Sequence, residues 1–287
     1  MNGPDVAEPG ELLARMARAR VCVFGDFCLD AYWIIDDATF ELSVETHLPV
    51  RHVRRQHYSL GGAGNVVANL AALGVGQVRG VGLIGQDLFG WEMRRQLDTL
   101  GVNSEAVLAR PDWQTALFGK PHSGGRESNR IDFGAFNELS PGLMDELAAR
   151  LDDAAGRSDV VIVNQQLPRG TTTAAMIRRI NPVVAAHPGT RFVVDSRDRA
   201  GLFRGATLKV NAHEAARLLG QDVPRNERIP LPEAERLAGQ VRDRTGKPVF
   251  VTCGHDGIIL ADAAGVRHAP AVPVPEPIDP VGAGDTV

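Results

Sequence analysis

The chain has 287 residues, 44% of them hydrophobic and 23% charged, with a formal net charge of -4. That balance predicts a folded core and excludes a general electrostatic pull toward nucleic acid or an anionic membrane. The first twenty residues carry Asp5, Glu8 and Glu11 and no apolar run, and no later stretch approaches a membrane span, so a cytoplasmic protein is expected.

Cys22, Cys28 and Cys253 have neither metal-ligand spacing nor disulfide density and are expected as buried, reduced thiols. Lysine occurs only at 120, 209 and 247, so arginine carries nearly all the positive charge, which reads as composition bias.

A helix over 8–20 leads into an apolar strand, Val21-Cys-Val-Phe24, closed by Gly25-Asp26. Asp30 follows at the strand's carboxyl end, where open parallel sheets bind ligands; a plain turn residue is the alternative. Residues 31–57 and 113–133 lack helical periodicity, are β-rich and read as a small β-sheet lid, the second segment split by Ser123-Gly-Gly. The run Arg51, His52, Arg54, Arg55, His57 is either a solvated face or a patch for a phosphorylated substrate.

Gly61-Gly-Ala-Gly64-Asn65 opens a helix over 66–73. Glycines before a helix let a ligand approach the backbone, and Asn65 offers both a donor and an acceptor; simple capping is the competing reading. A strand over 78–84, a helix over 89–100 and a stop at Gly101 come next. After the lid a helix over 140–155, a strand over 159–163, a helix over 171–180 and strands over 191–195 and 206–210 alternate, the pattern of a right-handed βαβ sheet.

Asn211-Ala-His-Glu214 places an amide and a carboxylate three apart on a helix start, where they can face hydrated Mg²⁺ or form a capping box. His213 is expected to be structural. A helix over 232–245 and strands over 248–252 and 258–261 bracket Thr252, Gly254 and Gly257, whose small size leaves room for a ring or phosphate or makes a hairpin turn. Five prolines between 270 and 280 then deliver Asp279-Pro-Val-Gly-Ala-Gly-Asp285-Thr-Val287. Its glycines suit a backbone cradle for an anionic oxygen, with a carboxylate beside it.

An acid after the first strand, Gly-Gly-x-x-Asn, Asn-x-x-Glu, Thr-x-Gly-x-x-Gly and Gly-Ala-Gly-Asp, in that order, resemble the PfkB (ribokinase-like) carbohydrate kinases from Val21 onward. The resemblance implies an α/β, ribokinase-like three-layer sandwich: a central, mainly parallel sheet flanked by helices, plus the lid, in one kinase domain over 1–287. It implies that Asp30, Gly62 and Asn65 hold sugar hydroxyls, and Arg130 is assigned to the substrate with them. Asn211 and Glu214 would organise Mg²⁺, while Thr252, Gly254 and Gly257 line ATP. Gly282, Ala283 and Gly284 would form the anion hole and Asp285 would be the base. Asp279 resembles the family residue near a monovalent cation.

Gly25-Asp-Phe-Cys-Leu-Asp30-Ala-Tyr-Trp33 and Phe203-Arg-Gly-Ala-Thr-Leu208 are most similar to heptose-7-phosphate kinases within that family. Those enzymes typically have Ser-Pro-Glu-Ala-Pro-like and Asp-Tyr-Gly-Lys-Gly-like stretches where this chain has Ser43-Val-Glu-Thr-His47 and Asn164-Gln-Gln-Leu-Pro-Arg-Gly170. Phosphoryl transfer from ATP to a sugar or sugar-phosphate hydroxyl is the implied reaction, with the sugar left open. The resemblance implies further helices after the Gly-Ala-Gly-Asp loop, which would follow Val287. Two other readings stay open: a catalytically inactive sugar-binding protein, and a nucleoside kinase using Tyr32 and Trp33. The lid's exposed edge could pair with a second copy in a homodimer.

Overall fold

A computed structural model describes residues 9–273. The chain runs through α1 (Pro9–Met16), β1 (Arg20–Gly25), β2 (Phe27–Ile35), β3 (Val53–Gly62), α2 (Ala63–Ala72), β4 (Gln77–Gly85), α3 (Leu88–Thr99) and β5 (Asn103–Arg110). Next come β6 (Ala116–Ser123), β7 (Arg126–Glu127), β8 (Ile131–Phe133), α4 (Pro141–Ala155), β9 (Val160–Gln165), α5 (Ala174–Ala186) and β10 (Arg191–Ser196). The described part closes with β11 (Thr207–Asn211), α6 (Ala212–Leu218), α7 (Leu231–Thr245), β12 (Val249–Thr252), β13 (Ile258–Asp262) and β14 (Gly265–Ala269).

The larger sheet has nine described strands in the order β14-β13-β12-β11-β10-β9-β1-β4-β5. From β12 to β5 every pairing is parallel, and β13 and β14 add antiparallel to one edge. Side chains of β1 alternate between the faces, which explains why both are covered. Cys22 and Phe24 join Leu147 and Leu151 of α4, Ile177 of α5 and Leu237 of α7, whereas Val23 joins Val66 and Val67 of α2 and Met93 and Leu97 of α3. This is helix, sheet, helix. Each such side chain contributes about 1.5–3 kcal/mol by leaving water.

The second sheet, ordered β3-β2-β6-β7 with β8 on β6, is the lid. It begins earlier than its composition suggests, because β1 passes through one residue, Asp26, directly into β2. Asp30 therefore lies inside a lid strand and not at the end of β1. The interior of 36–52 is mostly loop, with an isolated bridge between Leu42 and Pro49.

Three further differences have physical reasons. β5 is an edge strand of mixed polarity, and its carbonyls are satisfied from outside the sheet: Arg94 of α3 donates to the carbonyls of Ser104 and Val107, both at 2.6 Å. β14 is a second edge strand with no clear alternation, closed onto β13 through Gly265 at φ 119°. α5 starts at Ala174, capped by Thr173, and continues past Pro182 because Val183 and Val184 bury against the core. Of the cysteines, Cys22 and Cys28 are buried, but Cys253 is only half-buried. Burial pushes the Cys22 thiol up to about 12, so it stays protonated.

Candidate active site

Chain order around β1 reverses: β9 lies on one side and β4 on the other, so the carboxyl ends of β1 and β9 form the topological switch point where open α/β sheets bind ligands. Asp26 occupies that point and is 1% exposed. Its amide donates to the carbonyl of Asn164 at 3.1 Å, and its own carbonyl accepts from Ala63 at 3.0 Å. Its carboxylate accepts from the amides of Gln166 (2.9 Å), Leu167 (2.8 Å) and Thr171 (2.7 Å) and from the Thr171 hydroxyl (2.8 Å). One buried acid thus ties the first sheet strand, the lid, the start of α2 and the loop after β9 together. Burial raises its pKa, although the four hydrogen bonds pull the other way.

That geometry dictates two glycines. Gly62 has φ 54°, and a side chain there would sit 2.4 Å from the Asp26 carbonyl. A side chain at Gly170 would meet the Asp26 carboxylate at 2.1 Å. On the far side of the same loop, Arg199 donates to the carbonyls of Thr172 (3.1 Å) and Pro168 (2.8 Å). The loop is therefore held on both flanks while Gln166 and Arg169 line a cavity.

On the lid, Asp30 pairs across the strand with Phe118, which puts their side chains on one face. Lys120, two residues on, bonds Asp30 at 2.7 Å, with side chains 9% and 17% exposed. Burial lowers the Lys120 pKa, but hydrogen bonding and attraction to Asp30 and Tyr32 outweigh it and the net direction is up. Gly61 leaves the space beside Asp30 open, since an added carbon would lie 3.1 Å from its carboxylate. Asn65 is half-buried in the first turn of α2, directly after Gly62. Asp30, Gly62 and Asn65 are thus gathered where β2, β3 and α2 meet.

Between lid and sheet lies a cavity of about 510 Å³ whose wall includes Phe118, Phe133, Arg130, Gln166, Arg169 and Arg197. Arg130 lies 4.4 Å over the Phe118 ring and makes a bidentate pair with Asp132. Tyr32 instead stacks on His57 with Lys120 over its ring, so the aromatics offered to a ligand are Phe118 and Phe133. The basic run at 51–57 lines neither this cavity nor the next; Arg54 pairs with Asp36 at 3.2 Å, and the run is a solvated face.

A second cavity, of about 460 Å³, opens at the carboxyl ends of β11 and β12 and brings together Asn211, Glu214 and Thr252. Asn211 and Thr252 are register partners on adjacent strands. Asn211 and Glu214 also form a reciprocal capping box, each side chain accepting the other's amide at 2.9 Å. The spacing therefore serves both roles. Burial, helped by Asp195, raises the Glu214 pKa. Lys209 and Asp195 pair at 2.9 Å on the same wall. His213 bonds the Glu227 carbonyl at 2.8 Å and anchors the loop after α6.

Gly254 and Gly257 line neither cavity. Gly257 is required by packing instead, because a side chain would strike the carbonyl of Ala269 at 2.1 Å. Asp279, Gly282, Ala283, Gly284 and Asp285 lie outside the described residues. No group of three His, Cys, Asp or Glu side chains able to hold a metal occurs among the described residues.

Sequence reasoning assigned no role to Asp26, Arg197, Arg217 or Arg225, and met Lys120 and Arg169 only inside stretches that differ from the heptose-7-phosphate kinases. A signal existed for Lys120: with only three lysines in an arginine-rich chain, two of them, Lys120 and Lys209, are buried against aspartates. A compact ammonium fits where a guanidinium does not.

These elements define a ribokinase-like α/β fold. Phosphofructokinase-2 from Escherichia coli, in its tetrameric inhibited form, superposes with a TM-score of 0.70 at 18% identity over 93% of this chain and 84% of that one. Ribokinase from Arabidopsis thaliana, complexed with ribose and ATP, gives 0.68 at 19% identity over 94% and 83%. The chain belongs to the pfkB family of carbohydrate kinases, whose family model matches residues 18–287, and as such is a phosphotransferase with an alcohol acceptor. It is 32% identical to a D-beta-D-heptose 7-phosphate kinase from Bordetella bronchiseptica over 95% of this chain and 83% of that protein. It is also 32% identical to the bifunctional protein HldE of Citrifermentans bemidjiense, of which it spans 55%. No helix among the described residues is long and apolar enough to cross a membrane.

Proposed function

We propose that this chain transfers the γ-phosphoryl group of ATP, with Mg²⁺, to a hydroxyl of a sugar or sugar phosphate, and that heptose 7-phosphate is the first acceptor to try. The carrying observation is the pair of adjoining cavities, one walled by Asn211, Glu214 and Thr252 and the other by Phe118 and Arg130 of the lid, which share Gln166; Asp30 lines neither but is the register partner of Phe118. The kinase relatives support the acceptor class.

In this reading Asp30 and Asn65 accept and donate hydrogen bonds to sugar hydroxyls, and the bond from Lys120 holds the Asp30 side chain in place. Thr252 borders the nucleotide. The oxygen donors of Asn211 and Glu214 suit a hard, hydrated cation and would hold Mg²⁺, which would supply charge neutralisation at the phosphates. Asp285 takes the proton of the attacking hydroxyl as its oxygen bonds the γ-phosphorus and the bond to the bridging oxygen of ADP breaks. Amides at Gly282, Ala283 and Gly284 stabilise the transferring group. By the family resemblance Asp279 would serve a monovalent cation.

One kinase domain over 1–287 and a cytoplasmic location, where ATP is supplied, belong to the same reading. A homodimer through the lid is part of it too: the 36–52 loop exposes Phe40 and Val44 at 78% and 82%. The test is a screen for ADP release with phosphorylated and unphosphorylated sugars. Release with a sugar phosphate supports the reading, and no release with any sugar contradicts it.

A further inference from the structure

The wall common to the two cavities carries three guanidinium groups that the proposed mechanism leaves unused. Arg197 follows β10, Arg217 ends α6 and Arg225 sits on the loop after it, and all three line both cavities. Each is exposed, and none makes an ion pair or a side-chain hydrogen bond among the described residues. Some arginines elsewhere find acids, as Arg179 does with Asp145 and Arg228 with Asp256, and others do not; what sets these three apart is that they share one wall between two cavities. Composition bias explains how often arginine occurs here; it does not explain three of them lining both cavities at one junction.

Like charges in a cleft reinforce one another's field and raise the local concentration of anions. The scaffold beneath them is fixed. His213 holds the Glu227 carbonyl, Ile229 is buried in the core, and Glu227 donates to the Pro224 carbonyl at 2.9 Å, so the turn bearing Arg225 is anchored from both sides. Arg217 stands three residues after Glu214 on the same helix, near enough for its charge to lower that carboxyl's pKa.

We infer that Arg197, Arg217 and Arg225 form a clamp for the phosphates of the nucleotide, set at the point where a phosphoryl group would pass from one cavity to the other. This rests on the nucleotide occupying the cavity of Asn211, Glu214 and Thr252. The guanidinium fork pairs bidentately with phosphate oxygens, the geometry that a polyphosphate crossing this wall offers. Arg169 and Arg130 face the lid cavity alone and are left to the acceptor.

The test is calorimetric titration of the full chain with tripolyphosphate, with Mg-ATP and with adenosine, in wild type and in Arg197→Ala, Arg217→Ala and Arg225→Ala. Each substitution at an exposed site should leave the Tm unchanged, weaken tripolyphosphate and Mg-ATP by about tenfold or more, and leave adenosine untouched. Arg217→Lys should recover part of the loss. Wild-type affinity for tripolyphosphate in the three variants overturns the clamp. So does a loss confined to the KM of a phosphorylated acceptor, which would give the cluster to the sugar. If wild type binds tripolyphosphate but not Mg-ATP, the nucleotide reading of the cavity fails, while the variants still decide whether these three residues hold a phosphate.

Discussion

The Thr171 amide and hydroxyl both converge on one carboxylate oxygen of Asp26, at 2.7 and 2.8 Å, across 145 residues of chain. That contact fixes the loop forming the wall between lid and sheet. Asp26→Asn keeps the size but replaces one acceptor oxygen with a donor, so it loses two of the four bonds and sets N–H against N–H. A stability loss of about 2–4 kcal/mol is expected in urea denaturation. Gly170→Ala, which drives a methyl group into the same carboxylate, should cost a comparable amount.

Asp26 also predicts a pH dependence. Its folded pKa is raised, so the folded state holds this proton more tightly than the unfolded one. Stability from this group is present at low pH and is lost as pH rises from the ordinary aspartate range toward the raised folded value. In pH-dependent denaturation, wild type should lose more stability across that window than Asp26→Asn. Parallel curves would contradict the assignment.

Lys120 and Asp30 form a pair with little solvent around it. Removing one partner leaves the other charge poorly compensated, at a cost of about 3 kcal/mol, so Lys120→Met should destabilise the lid. Asp30→Asn should raise the acceptor's KM far more than that of ATP. Substituting both should cost less than the two single losses combined, which a double-mutant cycle measures.

Glu214→Gln preserves the capping bond to Asn211 through its remaining oxygen, so folding should change by less than about 1 kcal/mol. The free Mg²⁺ needed for half-maximal activity should rise, and a titration of rate against Mg²⁺ reads it. An unchanged requirement would leave this pair with the capping role alone.

Much of this was legible from residue order. Apolar runs ending in Gly or Asn marked the parallel strands, and Asn211 with Thr252 converge as their motifs imply because both end neighbouring strands. Arg130 lines a cavity, but its partner Asp132 and the ring of Phe118 beneath it depend on the β6–β8 pairing, which no local pattern announces. Asp26 read as strand punctuation, since its four donors lie 140 or more positions away. Gly257 resembled a ligand-facing glycine; a neighbouring backbone in β14 demands it, and β14 itself had no signature.

The central claim is transfer of phosphate to a sugar hydroxyl with Asp285 as base, and a coupled assay of ADP formation with heptose 7-phosphate tests it most directly. Wild type should turn over, and Asp285→Asn should lose about 10²- to 10⁴-fold in kcat with acceptor affinity nearly unchanged. Near-normal turnover by Asp285→Asn would contradict the account.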